Sequence, residues 1–211
     1  MKVWGTMRAR KGFTLMEVFV VIATVSVLFG IIMCVIFKCK EASQAVTCAS
    51  NLRQIATGMR LYSTDHDEAF PMSWDPSTNL TWAQVLTGSR GVTPYADPKL
   101  FKCPALNGVS AISYGMTSLS LWYPTLRRTD SDNRFFTQTL RRPSGWPLVL
   151  EADNIVVYDL SNPIATAPSD SRFAARHNGH ADVLMTDGHV EQAQYGDTQW
   201  SQANLNDGSY Y

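Results

Sequence analysis

Residues 11–37 read KGFTLMEVFVVIATVSVLFGIIMCVIF. From Phe13 to Phe37 the run holds 25 residues, and Glu17 is its only charge. About 20 apolar residues, each rising ~1.5 Å, cross a bilayer core of ~30 Å. The run is therefore predicted to be a membrane-spanning helix. A secretory signal peptide has a shorter apolar core, about 7–15 residues, followed by small residues at a cleavage site. Neither feature occurs here. Lys2, Arg8, Arg10 and Lys11 precede the run with no acid among them. Basic flanks stay on the cytoplasmic side, which predicts a single pass with the N-terminus inside and residue 38 onward exported.

Glu17 needs an explanation, because an ionised carboxylate in the bilayer costs about 2.5–3.5 kcal/mol. It can snorkel to the interface. It can also be paired. Cleavage after Gly12 frees the amine of Phe13, and that cation on a neighbouring subunit would offset the desolvation of Glu17 and set the register of packed helices.

Gly12-Phe13-Thr14-Leu15-Met16-Glu17, with a basic leader before it and an apolar helix after it, resembles the class III leader junction of type IV pilins and type II secretion pseudopilins. The resemblance implies a prepilin peptidase that cuts after Gly12 and N-methylates Phe13. It makes Glu17, the fifth mature residue, the assembly residue. The run departs from many pilin helices in lacking proline; Gly30 is its one evident weak point.

The helix is expected to continue past the membrane. Ala45, Cys48, Ala49, Leu52, Ile55, Ala56, Met59 and Tyr62 form one apolar stripe at helical spacing, and no proline interrupts residues 13–70. Gly58 costs about 1 kcal/mol relative to alanine without stopping a helix. One helix from Phe13 to about Ser63 would be on the order of 75 Å long.

All ten prolines follow residue 70, among many Gly, Asn, Asp and Ser, which predicts a loop-rich head with short strands. Strand candidates are Ile112–Tyr114, Pro147–Glu151 and Asn154–Tyr158. Asn178-Gly179 and Asp187-Gly188 suit type I′ hairpin turns. They predict a three-stranded meander of about 172–177, 180–186 and 189–194, with Ala181, Val183 and Met185 on one face. The expected fold class is α+β: a long N-terminal helix, its first half transmembrane, packed on a head with a small antiparallel sheet. The divisions are a cleaved basic leader (1–12), a transmembrane or filament-core helix (13–37), its periplasmic continuation (38–63) and a pilin-like head (64–211) with a distinct C-terminal region (172–194).

The 18 bases and 18 acids balance, but four of the bases lie in the leader. Its removal leaves 14 bases against 18 acids, a formal charge of −4. With no long basic run, no dedicated nucleic-acid surface is indicated. Of the four cysteines, Cys34 and Cys39 read as apolar fillers. Cys48 on the stripe and Cys103 in FKCP are either a disulfide, which an exported chain can form, or two buried thiols.

His177, nine residues and then Asp187-Gly188 resemble the H-X9-DG processing-associated domain found at the C-terminus of many bacterial prepilin-type proteins. CASNLRQIATGMRLYSTDHDEAFP (48–71), FKCP (101–104), SYGM (113–116) and VLEAD (149–153) look like the same group. That family name records an association with processed prepilins and assigns no processing activity to the domain. His177, His180, Asp187 and His189 invite a metal, but the meander separates the two pairs by a strand of roughly 23 Å, so no single site is expected. Structural roles are expected instead: His177 fixing a loop, Asp187 and Gly188 making a turn. Asp65, Asp67 and Glu68, around His66, are weak calcium candidates by analogy with pseudopilins that hold calcium in a head loop. They lack EF-hand spacing, and a polar helix exit explains them. No cofactor is expected.

No G-x-S-x-G, P-loop, H-E-x-x-H or G-x-G-x-x-G motif occurs, so no enzyme is expected. The reading is a structural filament subunit with four partners: prepilin peptidase, identical or related pilin or pseudopilin subunits, the inner membrane, and a pilus or secretion assembly platform. It would start as a single-pass inner-membrane precursor with a periplasmic head and end in a pilus, pseudopilus or the cell envelope. The alternative is a membrane-tethered envelope protein whose head binds a glycan or secreted substrate without polymerising, using tryptophans among Trp74, Trp82, Trp122, Trp146 and Trp200.

Overall fold

A computed structural model describes residues 12–91, 93–106, 113–117, 135–136, 143–152, 156–157 and 174–194. The chain divides into two compact units, Met1–Lys40 and Glu41–Tyr211. One helix, α1 (Leu15–Asp65), contributes to both.

α1 begins with a capping box that its sequence spells as Thr14-x-x-Glu17. The Glu17 carboxylate accepts from the Thr14 backbone N–H and hydroxyl, both at 2.8 Å, and the Glu17 N–H donates back to Thr14 Oγ1 at 3.3 Å. Orphan donors of the first turn are thereby satisfied. The apolar side chains from Leu15 to Phe37 are exposed, and this stretch is long and apolar enough to cross a membrane by length and composition. Its hydroxyls turn inward: Thr24 donates to Val21 O at 2.9 Å and Ser26 to Ile22 O at 2.7 Å. Hydrocarbon offers polar groups no partner, so such back-bonding is compatible with a membrane span.

Beyond residue 40 the stripe is used. Cys48, Leu52, Ile55 and Met59 are buried, with Gly58 and Ser63 beside them. Each fully buried large aliphatic contributes about 1.5–3 kcal/mol. Gly58 permits a close approach: a Cβ there would lie 2.9 Å from Tyr95 O and 3.2 Å from Ala96 Cβ. The helix stops when Asp67 and Glu68 adopt left-handed conformations, at φ 53 and 61, and the Glu68 N–H closes onto Ser63 O at 2.7 Å. Such conformations cost non-glycine residues roughly 1–2 kcal/mol each.

The head assembles short strands, as the spread of proline and glycine predicts. β1 (Ala69–Phe70) pairs with β5 (Phe135–Phe136), and β2 (Trp74–Asp75) with β3 (Leu80–Thr81). A short helix α2 (Trp82–Leu86) follows β3. The main sheet contains β4 (Tyr114–Thr117), β6 (Pro147–Glu151), β7 (Val156–Val157), β8 (His180–Met185) and β9 (Val190–Gln194) in the order β7-β4-β6-β8-β9. Among the described residues of this sheet only the β4–β7 pair is parallel. The α+β expectation holds, β6 has its expected bounds, and Asn154–Tyr158 contributes the two-residue β7. Of Ile112–Tyr114, Tyr114 opens β4, which runs on to Thr117, Ser113 lies just ahead of it, and Ile112 lies outside the described residues.

The meander is corrected at its first strand. Residues 174–177 hold only one bridge, His177 with His180, because β6 already occupies the edge of β8 that a strand at 172–177 would need. The approaching chain is tied to the end of β6 and to the backbone ahead of β4 instead: the Ala174 N–H donates to Glu151 O at 2.8 Å, and Arg176 sends its guanidinium to Ser113 O and to Ala152 O, just past β6, at 2.8 and 2.9 Å. Asn178 and Gly179, at φ 55 and 86, form the expected primed turn. The second turn differs. The Met185 N–H donates to His189 O, so three residues, Thr186-Asp187-Gly188, make the loop, with Gly188 at φ 97. Strand β8 buries Asp182 and Leu184 as well as Ala181, Val183 and Met185, so both faces are covered.

Candidate functional site: a buried cluster of cysteine, histidine and glutamate

Four segments bring one side chain each to the same buried point. Cys48 comes from α1. Cys103 follows a 3-10 turn, Pro98–Phe101, whose start is capped by Asp97 Oδ1 accepting from the Lys99 N–H at 2.8 Å. The loop after that turn is clamped to α1 by two side-chain amides, Gln44 to Pro104 O at 3.0 Å and Asn51 to Lys102 O at 3.2 Å. Glu151 ends β6, and His177 opens the Asn-Gly turn. All four are buried.

Cys48 and Cys103 form a disulfide with their Cα atoms 5.4 Å apart, inside the usual range. Beside it, His177 Nε2 and Glu151 Oε1 are 2.9 Å apart, and the same nitrogen lies 3.4 Å from Cys103 Sγ. The other carboxylate oxygen of Glu151 accepts the Asp182 N–H at 3.1 Å. Hydrogen bonding to Glu151 raises the His177 pKa, opposed in part by burial. Burial, then the nearby Glu151 charge, raises that of Asp182. Asp182 Oδ2 has no hydrogen-bond partner among the described residues.

The arrangement is not that of a nucleophile relay. A thiol–imidazole–carboxylate relay needs the thiol and the acid on opposite ring nitrogens, whereas Cys103 and Glu151 both face Nε2. What the cluster does offer is convergence. The two sulfurs, the imidazole nitrogen and a carboxylate oxygen lie within 4.8 Å of one another.

The other expected residues are placed as follows. Gly12 and Phe13 are exposed, and Glu17 caps its own helix. His177 joins the cluster, and Asp187 and Gly188 lie at the far end of β8. Asp187 Oδ1 accepts the His189 N–H at 3.0 Å, and the His189 ring lies between Asp187 and Glu191. His180 faces Gln194. The histidines and Asp187 therefore form no common site. Asp65 accepts the Tyr95 hydroxyl at 3.0 Å, and Asp67 and Glu68 shape the helix exit. The convergent ligand set found among the described residues includes none of these three acids. Trp82 and Trp146 are core residues; Trp74 is exposed, its Nε1–H donating to Asn79 Oδ1 at 3.2 Å. Trp122 and Trp200 lie outside the described residues. Cys34 and Cys39 are free and exposed.

Sequence reasoning missed Glu151, Asp182 and the Thr14 cap. Each left a signal: an acid closing the apolar strand PLVLE, an acid inside the strand HADVLM, and the T-x-x-E spacing at Thr14. Comparison of the chain with protein-family models, with curated proteins and with solved structures returned no match.

Proposed function

We propose that the protein is a structural subunit of a type IV pilus-like or type II secretion pseudopilus filament. In this reading it is made as an inner-membrane prepilin, cut after Gly12 by a prepilin peptidase and N-methylated at Phe13. The carrying observation is the start of α1. An exposed Gly12-Phe13 junction leads directly into a capped helix whose residues 15–37 present apolar side chains all around. A helix apolar on every side needs lipid or other helices around it, and a filament core provides the latter. Release of residues 1–12 turns Phe13 into a cation one residue before the Thr14 cap, close to the Glu17 carboxylate.

The capping box gives Glu17 two separable jobs, and substitution distinguishes them. Glutamine also serves at the third helical position of a capping box but carries no charge. If charge pairing drives assembly, Glu17→Gln and Glu17→Ala both abolish filaments while processing continues, and Thr14→Ala assembles. If the cap is what matters, Glu17→Gln assembles and Thr14→Ala does not. Gly12→Glu leaves the full-length precursor. Intact-mass measurement of protein from its native membrane reads processing, with methyl-Phe13 as the expected new terminus, and electron microscopy reads filaments. An uncut wild-type chain, or one that assembles normally as Glu17→Ala, removes the proposal.

A further inference from the structure

We propose that, when Cys48 and Cys103 are reduced, they bind one Zn²⁺ together with His177 and Glu151, so that the same point in the head can be locked by a disulfide or by a metal. The donor set is two sulfurs, one imidazole nitrogen and one carboxylate oxygen, mutually within 4.8 Å. Tetrahedral zinc, with ~2.3 Å to sulfur and ~2.0–2.2 Å to nitrogen and oxygen, requires ligand–ligand edges of roughly 3.2–3.8 Å. The 3.4 Å between His177 Nε2 and Cys103 Sγ already has that length, and the 2.9 Å between Nε2 and Glu151 Oε1 needs a few tenths more. The sulfurs must separate once their bond is broken, to an edge of about 3.8 Å.

Three further features favour a metal over an accidental grouping. The ligands come from four segments far apart in sequence, so coordination closes the same long loops as the disulfide. The free oxygen of Glu151 is held by the Asp182 N–H at 3.1 Å, and the Cys103 loop is held by Gln44 and Asn51. Outer contacts of that kind orient metal ligands. Thiolate with imidazole selects zinc and its soft neighbours over calcium or magnesium.

The test uses the full chain in detergent with Cys34 and Cys39 replaced by serine, leaving Cys48 and Cys103 as the only thiols. A phosphine reduces the disulfide anaerobically: it takes oxygen from water to become phosphine oxide, and two thiols form. Zn²⁺ binding then displaces the two thiol protons into the buffer. Metal content after gel filtration should be one zinc per reduced chain and none per oxidised chain. Co²⁺ in place of zinc should give a thiolate-to-cobalt band and the visible absorption of tetrahedral cobalt. His177→Ala and Glu151→Gln should each weaken zinc at least about tenfold against a chromophoric chelator. Tryptophan fluorescence of their disulfide forms checks that they are folded. A reduced chain holding no more zinc than the oxidised one, or folded variants binding as tightly as the parent, overturns the site.

Discussion

Gly58→Ala should destabilise the head although it improves the helix. In an exposed helix interior this substitution gains about 1 kcal/mol. At position 58 the added Cβ meets a backbone carbonyl, Tyr95 O, at 2.9 Å. That carbonyl cannot swing aside cheaply. The N–H groups of Tyr95 and Ala96 both donate to Leu86 O, at 2.8 and 3.0 Å. The Tyr95 hydroxyl donates to Asp65 at 3.0 Å, and its ring stands edge-on to Tyr62 at 5.5 Å between centroids. Overpacking of this kind costs about 1–3 kcal/mol, and loosening one of the hydrogen bonds adds roughly 1 kcal/mol. Against the gain of about 1 kcal/mol, the net loss is about 1–3 kcal/mol, or a fall in Tm of roughly 2–12 °C for a chain of this size. The assay is thermal unfolding of the full chain in detergent, followed by the fluorescence of Trp82 and Trp146, both buried in the head. Gly30→Ala, whose Cβ would meet nothing within 4 Å, is the control and should leave that transition in place. A Gly58→Ala head as stable as wild type or more so would refute the packing argument and leave propensity in charge.

Ile55→Ala should cost about 2–5 kcal/mol in the same assay, because the side chain is fully buried on the stripe. Reducing the Cys48–Cys103 disulfide in the presence of a chelator should lower stability by about 4 kcal/mol in the chain-entropy model for its 55-residue separation; a reduced, metal-free head of unchanged stability would refute the model here. Glu191 first, then Asp187, raises the pKa of His189 above its ordinary 6.5, with burial opposing. A raised value in the fold means that this pairing stabilises fully below about pH 6.5 and fades as pH rises through the folded value. His189→Gln should therefore flatten the pH dependence of Tm above pH 6.5, and an unchanged slope would show that the pairing contributes nothing.

What was legible in the sequence followed the range of the interactions. The apolar run, the stripe from Cys48 to Met59 and the Asn178-Gly179 turn are local patterns, and each appears where periodicity or turn chemistry puts it. The strand expected at 172–177, of which 172 and 173 lie outside the described residues, does not form over 174–177, because strand pairing is a competition decided by distant residues. Pro147–Glu151 takes the edge of β8, and no local signal in RFAARH records that. The acid closing PLVLE was in view, but the role of Glu151 stayed hidden for the same reason. Its partners His177 and Asp182 lie 26 and 31 residues away in sequence, and only the fold supplies a reason to bury a carboxylate. The close approach at Gly58 likewise depends on a loop near residue 95, so the sequence showed its cost and hid its use.

The spacing from His177 to Asp187-Gly188 now has a physical meaning. The nine residues between His177 and Asp187 are the two turn residues Asn178 and Gly179, the six residues of β8, and Thr186, which opens the next loop. The motif therefore measures one strand from turn to turn, and its two ends serve different neighbours. His177 faces Glu151 and the disulfide; Asp187 gives its carbonyl to Arg60 on α1 at 2.9 Å and its carboxylate to His189. Side chains alternate along a strand, so removing one residue from β8 would turn every later side chain to the other face. Removal of Val183 would break the match between the β6–β8 and β8–β9 pairings while leaving His177 and Asp187-Gly188 intact in sequence. If the spacing is a ruler for β8, that deletion should unfold the sheet, whereas a one-residue insertion before Ala174, outside the strand, should be tolerated. Equal tolerance of both changes would show that the motif serves its end residues alone.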